Sequence, residues 1–537
     1  MTPTTLICAL VVTFYAVRIL LRRIFSDLDN IPGPPRKSIL AGVIFRQYKH
    51  YDYNSFGTFA AGSLSQFYDP DDWAFQHDLE ENYAQVVKIH GILGDRQLFV
   101  FDPAALHSVL VQDQDNYETP AILDRLLFGK GILSTALEEH RKYRKVMMPA
   151  FSTANLRGVV PLFYEVAQRT RDGLIAPDVM AGPKTLDLNS ILCRTSLELI
   201  GKTGIDYSFD PMLPVLKPSK CNSQSLSCLF SYESFPPSFL RFMIGLIPYR
   251  NLQELRDIVD LTDGTATDLV RDRKAAIESG KLDINDGGKD IMSLLAKSNA
   301  SAASEMRLTD EELVACTSMI LFAATDTTSS SMNRLFHVLA SYPDVQEKLR
   351  AEIIAAPEHL DHDALIALPY LDGVVREILR LYPPAAPVMF REAMADAVLP
   401  LSTPITGVDG KLITSITVPK GTTMYIAIAA ANHNRRIWGE DALEFRPERW
   451  INGKAESVTT KMCGIYGNTM TFIGGGRSCI GFKFAQLEMK VVACVLLRTF
   501  KFSSPDARIK WRKAGIIPAP NVGNEPALPI LVERLNA

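Results

Sequence analysis

With 537 residues, 47% of them apolar, and a formal net charge of −3, the chain has material for a large buried core and no electrostatic case for binding nucleic acid. Its eight cysteines, at 8, 193, 221, 228, 316, 463, 479 and 494, include no Cys-x-x-Cys pair. That excludes a zinc-finger scaffold and a disulfide-framed secreted domain, and reads as reduced thiols facing a cytosol.

The first element is a mostly apolar run from Thr4 to Leu21, broken only by Arg18 near its end, where a long side chain can reach the interface. Arg18, Arg22 and Arg23 close the run, so the positive-inside rule puts the bulk of the chain on the cytosolic side. A cleaved signal peptide expects the opposite order, charge before the apolar run. IPGPPRK then supplies a stiff, extended proline segment. The expected organisation is an anchor over 1–29 with a transmembrane helix at about 4–21, a proline-rich hinge over 30–36, and one large domain over 37–537.

Farther along, YAQVVKIHGILGDRQLFVFD alternates around a turn and predicts an antiparallel strand pair. An apolar cluster at Ile122, Leu123, Leu126, Leu127 and Phe128 precedes HRKYRK, where His140 and Arg144 lie four apart and share a helix face. Arg141, Lys142 and Lys145 turn to other faces, and a plain solvated face is the default for such a charge run. LIGKT, from Leu199 to Thr203, looks like a phosphate loop, but Ser196 stands where the opening glycine belongs, so it reads as a helix end. The stretch 211–237 is rich in serine and proline and reads as a loop. MILFAATDTTSSS sets Asp326, Thr327 and Thr328 inside a long apolar helix, which is costly unless those groups bond something; a threonine bonding back to its own helix is the bland account. HLDHD, with His359 and His362, reads as a solvated acidic loop rather than a metal pair. In EILRLYPP, Glu377 and Arg380 are three apart on one helix face, which in isolation is an ordinary surface ion pair.

FIGGGRSCIG, from Phe472 to Gly481, presents one thiol in a glycine-rich turn. A buried small hydrophobe does not need that setting, and no nucleophile signature surrounds Cys479. As a metal ligand it fits better, because Phe484, Leu487, Val491, Val492, Val495 and Leu496 recur at helical spacing and place a helix N-terminus beside the sulfur. Structural zinc wants four nearby ligands, which the sequence does not offer there. One thiolate without partner ligands leaves haem, whose porphyrin brings four nitrogens of its own.

The pattern F-x-x-G-x-R-x-C-x-G, met by Phe472, Gly475, Arg477, Cys479 and Gly481, resembles that of the cytochrome P-450 haem-thiolate monooxygenases, and the resemblance extends from about Ile31 to the C-terminus. It implies the mostly α (α+β) haem-thiolate fold, with small β-sheets near each end of the chain, and haem b held by Cys479. By the same resemblance Glu377, Arg380 and Arg449 of FRPERW form a structural brace, and Arg144, Arg391, Arg477 and His140 contact the propionates, His140 standing where the family usually has tryptophan. Thr327 becomes the hydroxyl that steadies bound dioxygen and Asp326 the acid that feeds it protons, with Ala324 where the family commonly has glycine. The chain looks like the fungal, basidiomycete-like microsomal members.

The resemblance further implies insertion of one oxygen atom from dioxygen into a C–H or C=C bond. The sequence carries no flavin or nicotinamide domain, so NADPH electrons must come through a separate NADPH-cytochrome P-450 reductase, with cytochrome b5 as an optional second donor. Arg141, Lys142, Lys145 and Lys483 are the expected docking patch for that reductase. Pocket positions implied by the family are apolar here, at Ile122, Leu123, Phe128, Phe322, Ala386, Val388 and Ile516, and favour a terpenoid-like fungal secondary metabolite. The implied location is the endoplasmic reticulum membrane, single-pass, with the catalytic domain cytosolic. The rival reading is a haem-thiolate isomerase, dehydratase or peroxide user that activates no dioxygen; Asp326 and Thr327 argue against it.

Overall fold

The computed structural model describes residues 26–35, 73–91, 95–119, 129–210, 212, 250–279, 290–385, 389–451, 460–504, 508–514 and 517–535. The apolar run at 4–21 lies outside them, and among the described residues no helix is long and apolar enough to cross a membrane. By chain contacts the protein divides into two compact units, Met1–Thr119 with Val388–Ala431, and Pro120–Pro387 with Asn432–Ala537.

Helices of ten or more residues are α1 (Trp73–Asn82), α2 (Leu137–Met147), α3 (Thr153–Arg169), α4 (Leu188–Gly204), α5 (Arg250–Glu278), α6 (Ile291–Ser301), α7 (Asp310–Ser341), α8 (Pro343–Ala355), α9 (Pro369–Leu381) and α10 (Phe482–Thr499) among the described residues. The strands are β1 (Val86–His90), β2 (Arg96–Val100), β3 (Tyr117–Glu118), β4 (Lys184–Asp187), β5 (Phe390–Ala393), β6 (Ala397–Thr406), β7 (Leu412–Val418), β8 (Thr423–Ile426), β9 (Phe500–Ser503), β10 (Ile509–Ala514), β11 (Ile517–Val522), β12 (Glu525–Pro526) and β13 (Pro529–Arg534).

In the first unit the expected β1–β2 pair forms, with Val86 opposite Val100. It belongs to a five-stranded sheet in the order β1-β2-β8-β5-β3, with β2 and β8 parallel. A sheet expected near one end of the chain therefore recruits two strands from residues 390–426, a long-range pairing that local alternation does not encode. β6 and β7 make a separate hairpin. The proline segment is also fastened rather than free: the Lys88 amide donates to the Pro32 carbonyl at 2.9 Å. A side chain at Gly33 would meet the Lys88 carbonyl oxygen at 1.9 Å, so only glycine lets the segment lie there.

The second unit is mostly helical, with two small sheets in the orders β4-β13-β9 and β10-β11-β12. Its longest helix, α7, starts with a capping box in which the Thr309 hydroxyl accepts from the Glu312 amide and the Glu312 carboxylate accepts from the Thr309 amide. Tyr342 ends it because Pro343 follows and disfavours helical backbone before it. α10 opens within three residues of Cys479, and its Phe484, Leu487, Val491, Val492, Val495 and Leu496 are all buried. Phe484 meets Phe163 of α3 edge-on at 5.0 Å, seating the start of α10 against a core helix.

LIGKT does close α4, as a helix end. HLDHD departs from expectation: His362 is buried at the start of a short helix, His362–Ile366, capped by the Asp361 carboxylate. Its ring lies 2.8 Å from the Asp363 carboxylate, a local contact that a solvated loop would not hold. The 211–237 loop lies outside the described residues apart from Met212.

Candidate active site

Cys479 is presented by a loop with a strained backbone. Ile473 takes φ = +45°, a left-handed conformation that costs a β-branched residue on the order of 1–3 kcal/mol. It is held there by its amide donating to the Met470 carbonyl at 2.8 Å and its carbonyl accepting from Ile465 at 3.1 Å. A side chain at Gly474 would sit 2.0 Å from the Cys463 carbonyl oxygen, and Gly475 has φ = +72°. Those two glycines are demanded by the turn. Gly481 is not, since a side chain there would find nothing nearer than Phe151 at 3.8 Å. The Cys479 amide donates to the Phe472 carbonyl at 3.0 Å, so the motif's first residue fixes its cysteine through the main chain.

The cysteine is crowded by protein on one side yet exposed on the other. Burial pushes its thiol pKa up, opposed by the Gly481 amide and the positive charge of Arg144. Thiolate at neutral pH therefore needs a further positive partner, which an iron ion supplies. Among the described residues no group of three or more His, Cys, Asp or Glu could hold a metal ion. A metal at Cys479 must bring its remaining ligands with it, and this donor set fits a porphyrin iron.

Two arginines stitch α2 to this loop. Arg144 donates to the Ser478 carbonyl at 2.5 Å and to its hydroxyl at 3.1 Å. Arg477 answers from the loop side, donating to the Thr135 carbonyl at 2.7 Å. His140, on the same face of α2 as Arg144, is buried. Arg391 belongs to the first unit, on β5, where it is buried and donates to the Phe390 carbonyl at 2.8 Å.

The brace residues come together. Arg380 grips Glu377 through two bonds, 2.9 Å from Nε and 2.8 Å from Nη2, and Arg449 adds a third at 3.3 Å. Glu377 and Arg380 are fully buried. Trp450 Nε1 and the Arg446 amide also donate to Glu377, at 2.8 and 3.1 Å, so the carboxylate is answered on every side. Asn432, which sequence reasoning missed, ties this cluster to the cysteine loop. Its Nδ2 donates to the Arg380 carbonyl and the Thr471 hydroxyl, while its Oδ1 accepts from the Met470 amide at 2.6 Å. The available signal was a polar Asn-His-Asn triplet closing the apolar run IAIAAA.

The middle of α7 is different. Leu321 and Thr328 are buried, but Ala323 between them is exposed and Phe322, Ala324, Thr325, Asp326 and Thr327 are half-buried. A core helix is thus open over a short strip in its middle, where a large group has room. Hydroxyls bond back along the strip: Thr325 to Leu321, Thr327 to Ala323, Ser329 to Asp326 and Ser331 to Thr327, at 2.7 to 3.1 Å. Ser196 adds a bond from α4 to the Thr325 carbonyl at 3.0 Å. The Thr327 hydroxyl donates its proton to its own helix and keeps lone pairs to accept with.

A second missed residue is Glu488 on α10. It is buried, neither carboxyl oxygen has a hydrogen-bond partner of ordinary geometry, and burial raises its pKa well above the usual carboxylate range, with the Thr328 hydroxyl opposing. Of the basic residues on α2, Arg141 and Lys145 are exposed, with Arg141 paired to Glu138. Lys142 is half-buried and comes within 4.0 Å of Glu312 on α7. Lys483 is exposed and donates to the Thr153 hydroxyl at 3.1 Å. Of the expected pocket residues Phe322 is placed, half-buried; Ile122, Leu123, Phe128, Ala386, Val388 and Ile516 lie outside the described residues.

Residues 59–517 match the family model described as Cytochrome P450. The chain is 41% identical to cytochrome P450 monooxygenase 91 of Postia placenta, over 99% of this chain and 98% of that protein. It is 40% identical to cytochrome P450 monooxygenase 81 of the same fungus, over 93% and 91%. A ganoderic acid synthetase of Ganoderma lucidum is 36% identical over 91% of each.

Proposed function

Because the chain belongs to the cytochrome P450 family of monooxygenases, we propose that it inserts one oxygen atom from dioxygen into a lipophilic, terpenoid-like fungal metabolite, with Cys479 as the axial thiolate of haem b. The observation that carries this reading is the cysteine loop itself: a lone thiol, exposed on one side, on a turn whose strain is fixed by the Phe472, Met470 and Ile465 main-chain bonds. Bound haem supplies the oxygen and electron chemistry, and the protein aims and tunes it.

Each residue role follows from what the side chain can do. Arg144 lowers the cost of a thiolate at Cys479 by its charge, and with Arg477 and His140 it offers donors to the propionates; the family resemblance alone adds Arg391. The Glu377 brace holds Asn432, and through it Met470 and Thr471, so the loop keeps its shape when the thiol is ionised. Thr327 accepts a hydrogen bond at the open strip and passes on a proton when its bond to Ala323 is released. Asp326, one residue earlier, is the acid that replaces that proton.

The apolar positions at Ile122, Leu123, Phe128, Phe322, Ala386, Val388 and Ile516 support a greasy substrate, and the ganoderic acid synthetase among the relatives supports the terpenoid class. Electrons come from NADPH through NADPH-cytochrome P450 reductase, with cytochrome b5 as a second donor. The apolar run at 4–21 anchors the protein once in the endoplasmic reticulum membrane, leaving the catalytic part cytosolic. The test is coexpression with a fungal reductase and a panel of lipophilic substrates under heavy-oxygen-labelled dioxygen. One labelled atom per product, with NADPH consumed, is expected; products without label would overturn the oxygenase reading.

A further inference from the structure

Arg334 lies on α7 beyond the open strip, in a stretch where Ser331, Met332, Asn333, Leu335 and Phe336 are all buried. It is itself only half-buried, and its guanidinium nitrogens stay accessible in an otherwise closed part of the helix. Its guanidinium carbon lies 4.3 Å from the ring centre of Tyr382, the residue at which α9 ends, and 3.4 Å from that of Trp511 on β10. Trp511 is held in turn, its Nε1 donating to His337 Nδ1 of α7 at 2.9 Å. Ser330 donates to the Pro518 carbonyl of β11 at 2.7 Å, which fastens the same sheet to α7 one turn earlier.

What surrounds Arg334 lacks a negative charge. Among the described residues no carboxylate pairs with it and no acceptor takes its N–H groups. The other deeply set arginines of this unit are answered: Arg380 by Glu377, Arg194 by Asp210, and Arg350 by Gln346 and two main-chain carbonyls. Burial and the Arg334 cation push the His337 pKa down to about 4, so that ring is neutral at physiological pH. Burial also pushes the Arg334 pKa down to about 9, with Tyr382 opposing, so the guanidinium is charged at neutral pH but uncompensated. A cation in that setting favours an anion that can reach it. Shape then selects the anion. Rings over a guanidinium leave its donors free in its own plane, where a flat carboxylate takes two parallel bonds. The apolar rings beside it suit the body of an organic acid better than a strongly hydrated inorganic ion.

We propose that Arg334, stacked on Tyr382 and Trp511, is a carboxylate-binding site that takes the acid group of an organic ligand as a two-bond ion pair. A small free acid and the acid end of a lipophilic molecule carry the same group, and the test separates them. No turnover is needed to read it, so the site stands or falls independently of the oxygenase reading.

The test is calorimetric titration of the full-length, haem-loaded protein with decanoate, methyl decanoate, acetate and inorganic phosphate. Decanoate is expected to bind about ten- to a hundredfold more tightly than its methyl ester, the range expected of hydrogen bonds to a charged group. Arg334→Gln should erase that preference and leave ester binding as in the parent. Arg334→Lys, which keeps the charge but not the planar fork, should retain only part of it, and carries the test where Arg334→Gln does not fold. Decanoate binding without acetate binding identifies the acid end of a lipophilic ligand; acetate binding that is lost in Arg334→Gln identifies a small acid. Acid and ester bound alike by the parent would overturn the site. So would an acid preference that survives intact in either variant, or phosphate bound as tightly as the carboxylates.

Discussion

The Glu377 brace and the middle of α7 both set polar groups in the core of the second unit, and they treat them in opposite ways. In the brace, Glu377 and Arg380 are sealed from water and every oxygen of Glu377 is answered by Arg380, Arg449, Trp450 or the Arg446 amide. In α7, Asp326 and Thr327 lie on an open strip, and the Thr327 hydroxyl is satisfied only by its own helix. Buried charge that is fully paired holds shape, because removing one partner strands the other. A hydroxyl bonded to its own turn is cheap to release and so is free to do chemistry. On the proposed function the brace serves stability and the strip serves turnover, and substitutions should separate the two.

The largest effect is expected at the brace. Glu377→Ala leaves Arg380 charged and buried, at a cost of about 3–5 kcal/mol, a large part of a typical domain's total of roughly 5–15 kcal/mol. Little soluble protein and a strongly lowered melting temperature are expected; an unchanged melting temperature would break the comparison. Thr327→Ala should do the reverse. It removes a back-bond that helices do not need, so thermal unfolding stays close to the parent. Product formation falls by about a hundredfold, while NADPH is still consumed and hydrogen peroxide accumulates. Coupling of product to NADPH equal to the parent's would remove Thr327 from the proton route.

Glu488 sharpens the contrast, because it is buried like the brace but unpaired. Its folded pKa is raised well above the unfolded value of about 4.3, so the folded protein keeps a proton that the unfolded chain gives up. That contribution is full below pH about 4 and is lost as pH rises toward the folded pKa, with a slope of at most about 1.4 kcal/mol per pH unit. Glu488→Gln should flatten the slope and make the variant more stable than the parent at alkaline pH, as read by denaturant unfolding across pH. Parallel curves would mean that Glu488 is ionised in the folded protein.

The smallest effect is expected on the surface. Arg141→Glu with Lys145→Glu alters exposed charges, each worth at most about 1 kcal/mol, and leaves stability nearly unchanged. Reductase-supported turnover should slow and lose part of its salt dependence, because rim charges act mainly on association rate. Unchanged salt dependence of turnover would remove these residues from the docking patch.

How much of this was legible in the sequence follows from whether the signal is local. Phe472 to Gly481 and α10 could be read because the turn, the cysteine and the helical repeat are contiguous. The Glu377–Arg380 pair could be read as a helix-face pair, and its meaning came from FRPERW sixty-odd residues on. Asn432, Trp450 and Glu488 could not, because their importance lies in which distant groups they meet. The approach of Lys142 to Glu312 was hidden for the same reason: helical spacing gives the lysine's direction, while the acid it meets lies on another helix. The five-stranded sheet mixes strands from both ends of the first unit, and no local alternation announces that β8 inserts between β2 and β5. His362 looked solvated by composition, but it is buried at the start of a capped helix with its ring beside the Asp363 carboxylate.

The central claim is that Cys479 is the one protein ligand to a haem iron, and that the loop around it holds its shape without the sulfur. Cys479→Ser tests it directly through the carbonyl difference spectrum of the reduced protein, recorded beside the thermal unfolding curve. The parent should show the red-shifted band of a thiolate-ligated ferrous carbonyl. The variant should lose that band and keep its melting temperature within a few degrees, because Ile473, Gly474 and Gly475 set the turn independently of the thiol. The same red-shifted band in the serine variant would contradict the account.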